Sequence, residues 1–177
     1  MQQAKHSHLP LALGAALIVL AALTRLLPHP PNFTPIEAMA LFGGAMLVNR
    51  VWALGITLGA MLLSDLVIGA HSLQLVVYAC LIGGVFLGTW IGPEAKLRRV
   101  VAAGLASAIG FFIVTNFAVW ATSGMYSKDL AGLVLCYEAA VPFFRNSLAA
   151  LGVYGLVLFG AAHLYRRWAT PAAAQAS

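Results

Sequence analysis

Residues Leu73–Ile91 read LQLVVYACLIGGVFLGTWI, nineteen residues without a charged side chain, and Gly84, Gly88 and Gly92 follow Cys80 at every fourth position. A bilayer's hydrocarbon core is about 30 Å thick and takes roughly 20 apolar residues to cross as a helix. This stretch is therefore a membrane span. Similar runs flank it on both sides: Leu9–Leu27, Ile36–Asn49, Val51–Ile68, Val100–Thr122 and Pro142–Tyr165. The expected architecture is an all-α polytopic bundle of six transmembrane helices. It forms one transmembrane domain over residues 1–169, followed by an Ala-rich, disordered tail at 170–177.

Composition supports this reading. Only 8% of the 177 residues are charged and 62% are hydrophobic, whereas soluble domains carry about 25% charged residues. So few charges cannot cover a soluble surface, and no length remains for a soluble nucleotide-binding domain. Two cysteines are too few for a disulfide framework. The net charge of +5 forms no basic stripe for nucleic acid. Leu9–Leu27 is longer than the ~7–15-residue core of a signal peptide. It also ends in Arg25 and a proline cluster, with no small-x-small cleavage site.

Orientation follows from Lys and Arg in short loops, which favour the cytoplasm. With the N-terminus inside, seven (Lys5, Arg50, Lys96, Arg98, Arg99, Arg166, Arg167) fall inside and three (Arg25, Lys128, Arg145) outside. Both termini are then cytoplasmic. The outer loops become Pro28–Pro35, Gly69–Ser72 and Ser123–Val141. Thr34-Pro35-Ile36-Glu37 fits a capping box with proline at the first helical position, which makes Glu37 a helix cap.

Polar residues inside the spans gather towards that outer side: Asp65, Tyr78, Cys80, Asn116, Trp120, Arg145 and Asn146. Polar groups within a bilayer are expensive and normally face a bundle interior or a cavity. Their clustering points to an outward-facing pocket roofed by loops. Each also has a plain reading: Asp65 pairs at the interface, for example with Arg145, while Trp120, Tyr126 and Tyr137 form an aromatic belt. His29 and His71 lie in outer loops.

Cys80 has two readings. The series Cys80-Gly84-Gly88-Gly92 lies on one helix face. Small residues at that spacing let helices pack closely. Alternatively, the bare face leaves room for a large flat ligand, with the thiol aimed at it. Cys80 lies about 12 Å below the helix end at Ser72, at ~1.5 Å per residue, a depth suited to a pocket floor. A thiolate is a soft ligand for a transition metal. No P-loop, G-x-S-x-G or H-E-x-x-H motif is present, and no charge ladder suggests a voltage sensor.

The runs Pro28-His29-Pro30-Pro31-Asn32-Phe33-Thr34-Pro35-Ile36-Glu37-Ala38-Met39-Ala40-Leu41-Phe42-Gly43-Gly44, Ser64-Asp65, Thr115-Asn116-Phe117-Ala118-Val119-Trp120 and Pro142-Phe143-Phe144-Arg145-Asn146 resemble small bacterial membrane proteins related to the S components of energy-coupling-factor (ECF) vitamin transporters. With Cys80 in the fourth span, the resemblance is strongest to the BtuM family of solitary cobalamin transporters. It covers roughly Arg25 to Phe159. It implies a six-helix S-component fold in the bacterial inner membrane, with a periplasm-facing pocket for cobalamin (vitamin B12) and Cys80 as axial ligand of the cobalt. In cyanocobalamin that thiolate would displace cyanide, so Cys80 would also be the catalytic residue of a decyanation.

Asn32, Phe33, Asp65, Tyr78, Gly84, Asn116, Trp120 and Arg145 are the remaining substrate-binding candidates, by position. The resemblance also implies an ECF coupling protein and ATPases as partners, reached through small residues such as Ala12 and Ala16, or else solitary action. The alternatives are an S component for another vitamin, with Cys80 only packing, a membrane enzyme that modifies a corrinoid, and an assembly subunit.

Overall fold

A computed structural model describes residues 8–175. Lys5, counted above among the inner cations, lies outside them, as do residues 176–177 of the expected tail. Among the described residues the chain is all-helical, with no strand. Six helices follow in order: α1 (Leu11–Leu23, extended by a 3₁₀ turn at Thr24–Leu26), α2 (Ile36–Met46), α3 (Arg50–Ile68), α4 (Gln74–Ile91), α5 (Leu97–Thr122) and α6 (Leu130–Gln175). Proline follows the first element, and glycine follows α3 and α4. The prolines at 28, 30, 31 and 35 cannot donate to a helix ladder. Gly69 and Gly92 follow α3 and α4 with φ of 104° and 71°, a region that side-chain-bearing residues avoid.

Four helices, α3 to α6, are long and apolar enough to cross a membrane. Their outer faces match: Leu63, Leu66, Leu75 and Leu156 are exposed, the last at 76%. A surface of that kind belongs in lipid, since soluble proteins rarely expose continuous apolar patches of more than a few hundred Å².

α1 and α2 fall short of the expected first and second spans. α2 has 11 residues and is about 16 Å long at 1.5 Å per residue, well under a bilayer core. It is the interior of the bundle instead. Every one of its residues is buried, and α2 packs against all five other helices. A helix that is apolar all round is one that other helices cover, and IEAMALFGGAM has only one charged side chain.

The closest packing is between α2 and α4. A Cβ on Gly44 would collide with the carbonyl of Val85, and one on Gly88 with the carbonyl of Leu41. At Gly84 it would come within 2.9 Å of the Ala40 Cβ. The glycine face of α4 is therefore filled by α2 and does not leave room for a flat ligand. The packing reading of the Cys80-Gly84-Gly88 series holds for both glycines.

α6 departs most from expectation. The segment read as the end of a long outer loop, residues 130–141, is helical, and so is the start of the expected tail, to Gln175. At 46 residues α6 is about 70 Å long and overruns any bilayer. Asp129 starts it. Its Oδ1 accepts the Gly132 amide at 2.7 Å and the Ser127 hydroxyl at 2.9 Å, an N-cap pairing. Those two bonds, the amide's foremost, hold the Asp129 carboxyl below its usual range. Pro142 removes one ladder bond but does not stop the helix, a tolerance common within membrane helices. The alanines after Pro171 favour continuation, alanine being the best helix former.

If α2 and α4 meet this closely, Gly88→Ala and Gly44→Ala each force carbonyls apart and cost about 1–3 kcal/mol or more of stability, the usual range for overpacking. Gly83→Ala, where a Cβ meets nothing within 4 Å, leaves stability unchanged. Thermal unfolding in detergent reads this; a Gly88→Ala midpoint equal to wild type would refute the close contact.

Candidate functional site

One end of the bundle carries the connections 27–35, 69–73 and 123–129, here called the proline-loop end. The opposite end carries Arg50, Lys96, Arg98, Arg99, Arg166 and Arg167, and is called the basic end. Two polar constructions stand near the proline-loop end.

The first is a buried ion pair. Arg25 Nη2 lies 2.8 Å from Asp65 Oδ1, with side chains 8% and 2% exposed. Arg25 Nη1 also donates to the Ser64 hydroxyl. The other Asp65 oxygen accepts the Tyr78 hydroxyl at 2.8 Å and the Gln74 amide at 3.1 Å. The cluster ties the end of α1 to α3 and α4. Asp65 thus pairs with Arg25 and not with Arg145, because α3 packs on α1, α2 and α4 while Arg145 is exposed on α6. With every Asp65 oxygen engaged by protein, this is a clamp between helices.

The second is a cavity of about 370 Å³ between α4, α5 and the first half of α6, reached by Asn32 from the proline loop. Its α6 wall is a regular stripe: Cys136, Ala140, Phe143 and Ser147, spaced 4, 3 and 4 as on one helix face. Its α5 wall includes Phe111, Phe112, Thr115 and Asn116; Leu73 and Val77 supply α4. Phe112 packs on Phe144 with ring centroids 4.7 Å apart. No Asp, Glu, Lys or Arg lines the space. Such a lining suits an uncharged, flat or aromatic guest, with two amides, His71 and Tyr126 for orientation.

Asn32 reaches the cavity through a tight turn. The Phe33 amide donates to the Pro30 carbonyl at 3.0 Å, and Asn32 has φ of 61°. Proline second and asparagine third, at positive φ, fit a type II turn. α6 holds the turn in place: Asn146 donates to the Pro31 carbonyl at 2.9 Å and Ser147 to that of Asn32 at 3.5 Å.

Of the sequence-derived candidates, only Asn32 and Asn116 lie on the cavity wall. Tyr78 and Asp65 belong to the clamp. Phe33 packs on Tyr154, centroids 6.0 Å apart, because its turn directs it to α6. Trp120 ties down the α5–α6 connection, its indole donating to the Ser127 carbonyl at 2.8 Å and its ring lying 5.5 Å below the Lys128 ammonium. Gly84 packs against α2, as above.

Cys80 is half-buried and free. It does not line the cavity; it lies three residues after Val77, the last α4 residue on the wall. Cys136, the other cysteine, is the thiol on the wall. It is buried, and its Sγ donates to the Asn116 backbone carbonyl at 3.4 Å. It was missed because residues 130–141 read as loop; the Cys136–Ala140–Phe143–Ser147 periodicity was the available signal.

Glu37 is a further correction. α2 begins without any side-chain cap, and Glu37 turns inward, 9% exposed, to accept the Ser107 hydroxyl of α5 at 3.3 Å. The first turn of α2 is already inside the bundle, so its acid has no solvent to face. Among the described residues no three His, Cys, Asp or Glu side chains gather to hold a bare metal ion.

Removing one partner of a buried pair leaves the other charge uncompensated, at about 3–5 kcal/mol. Asp65→Ala is expected to lower the unfolding midpoint strongly, while Arg25→Met combined with Asp65→Leu restores much of it. Additive losses in the double variant would remove the clamp from the account. At Asn32, the left-handed backbone disfavours a β-branched residue by about 1–2 kcal/mol. Asn32→Val is therefore less stable than Asn32→Gly, as denaturant titration would show; equal midpoints would contradict the turn.

No curated protein matches the chain, and no solved structure matches it either. Residues 5–173 match DUF6580, described as a family of unknown function. That match takes in the first five helices, all but the last two residues of α6 and both polar constructions, and the chain belongs to the DUF6580 family.

Proposed function

We propose that this protein imports cobalamin across the bacterial inner membrane, as an S-component-like bundle of six helices whose proline-loop end faces the periplasm and whose termini are cytoplasmic. The observation that carries the reading is the cavity at the proline-loop end, aromatic and free of charged residues, with the free, half-buried thiol of Cys80 three residues beyond Val77 of its α4 wall. A single thiolate does not by itself build a tight site for a bare ion, but it can complete the coordination of a metal whose other positions are already filled. A corrin brings its cobalt in that state, and no multi-residue metal cluster is needed.

Ligation by Cys80 transfers no electrons. The thiol loses its proton, a sulfur–cobalt bond forms on the upper axial face, and in cyanocobalamin the cobalt–cyanide bond breaks. Cyanide leaves with that proton as hydrogen cyanide. A whole corrinoid is larger than about 370 Å³, so entry requires the cavity to widen. The connection 123–129 contributes Met125 and Tyr126 to that wall, and this reading assigns the widening to it. No nucleotide-binding motif occurs in the chain. Energy comes from an ECF coupling protein and its ATPases, or transport is facilitated and the vitamin is trapped inside.

A second reading is favoured by the size and lining of the cavity. About 370 Å³ lies at the small end of the ~300–1,000 Å³ range of ligand pockets. Two asparagines among phenylalanines suit a smaller heterocyclic vitamin or precursor. Cys80 is then a packing residue.

The absorption spectrum of protein expressed with cyanocobalamin separates the two. The cobalamin reading expects a bound corrinoid with a shifted, cyanide-free spectrum. That spectrum disappears or reverts in Cys80→Ala and persists in Cys136→Ala. Loss in Cys136→Ala alone would move the cobalt ligand to the cavity wall. A colourless wild-type protein would favour the smaller vitamin. Uptake of labelled cobalamin into vesicles then distinguishes transport from modification alone.

A further inference from the structure

Between α5 and α6, towards the basic end, lies a second space of about 530 Å³. It is wholly apolar: Val101 and Leu105 stand on one side, Leu151, Leu156 and Phe159 on the other. What opens it is the absence of side chains. Gly152, Gly155 and Gly160 line it, and a Cβ at any of the three would meet nothing within 4 Å. These glycines do not bring α5 and α6 together; they leave a trough along the lipid-facing side. From Leu148 to Gly160 it runs about 18 Å, close to half of a ~30 Å hydrocarbon core.

Both walls of the trough run into exposed cations at the basic end. On α5, Arg98, Val101 and Leu105 are spaced 3 and 4 apart and share a face. On α6, Leu156, Gly160, His163 and Arg167 are spaced 4, 3 and 4. Arg98, His163 and Arg167 are exposed. Arg99, the next residue on α5, is occupied with the Trp90 ring, 5.7 Å away. The nearest acid, Glu94, pairs with Lys96 at 2.9 Å, which leaves the mouth of the trough positive.

We propose that this trough is a binding site for an anionic phospholipid, one acyl chain lying along Gly152, Gly155 and Gly160 and the phosphate held between Arg98 and Arg167. The match is of length, polarity and charge together. An acyl chain fills an apolar trough one leaflet deep, and the headgroup then sits where two helices each present a cation. A partner helix would fill the apolar part without using the two arginines at its mouth, which the cytoplasmic preference of Lys and Arg places at this end and an anionic headgroup would engage. The site is independent of whatever occupies the cavity at the other end.

The test is native mass spectrometry of the full chain in mild detergent, titrated with equal amounts of phosphatidylglycerol and phosphatidylcholine. The expected result is retention of phosphatidylglycerol over phosphatidylcholine. Arg98→Gln and Arg167→Gln, both at surface positions, each reduce that preference about fivefold, the usual effect of one surface cation on anionic lipid. Arg50→Gln, at the same end but on α3, leaves it unchanged. Gly155→Leu fills the trough and reduces retention of both lipids. Equal retention of the two lipids by wild type would overturn the proposal. So would an equal loss in Arg50→Gln, which means diffuse surface charge, or a doubled mass independent of lipid, which means a second copy occupies the trough.

Discussion

The fold depends on one close contact, the crossing of α2 over α4 at Gly44, Gly84 and Gly88. Neither helix can carry a side chain at its contact glycines without striking the other's backbone or Ala40. That proximity puts an 11-residue helix at the centre, fully buried, with five neighbours around it. In a bilayer there is no hydrophobic drive between apolar helices, and association rests on van der Waals contact and interhelical polar bonds. Gly44 and Gly88 supply the first. The Arg25–Asp65 clamp and the Ser107–Glu37 bond supply the second.

With α2 at the centre, the cavity and the trough fall at opposite ends of the α5–α6 pair. At the proline-loop end the helices diverge around phenylalanines, Asn116 and Cys136. At the basic end Gly152, Gly155 and Gly160 leave the trough. The two linings differ in chemistry. One mixes amides, rings and a thiol; the other is purely aliphatic apart from Phe159. The extra length of α6 serves the first, since Cys136 and Ala140 lie in the stretch that precedes Pro142.

Several site residues were legible in the sequence for a physical reason. Asn32 stands in a rigid proline run, and Asn116 is an amide in an otherwise apolar span; both meet at the cavity. Asp65 was legible as an ion-pair partner, but the choice of Arg25 over Arg145 was not, because it turns on which helices are neighbours. Cys136 was hidden by Pro142, which reads as a helix start when α6 in fact passes through it. Glu37 was hidden by a local pattern: Thr34-Pro35-Ile36-Glu37 satisfies the spacing of a capping box, yet burial of the first turn sends the carboxylate inward.

The sequence by itself determined that this chain is all-helical and lives in a membrane. Hydrophobicity and charge are summed over a segment, and a nineteen-residue uncharged run has few other places to go. It also determined that the glycines of the fourth span share a face, since helical periodicity needs no partner. Only the tertiary structure decided what that face meets. The same spacing serves a ligand or another helix, and the backbone of α2 occupies it. Likewise, only packing decided that the expected second span is an interior helix. Its composition suits any apolar surroundings, and its 11 residues cannot reach across a bilayer.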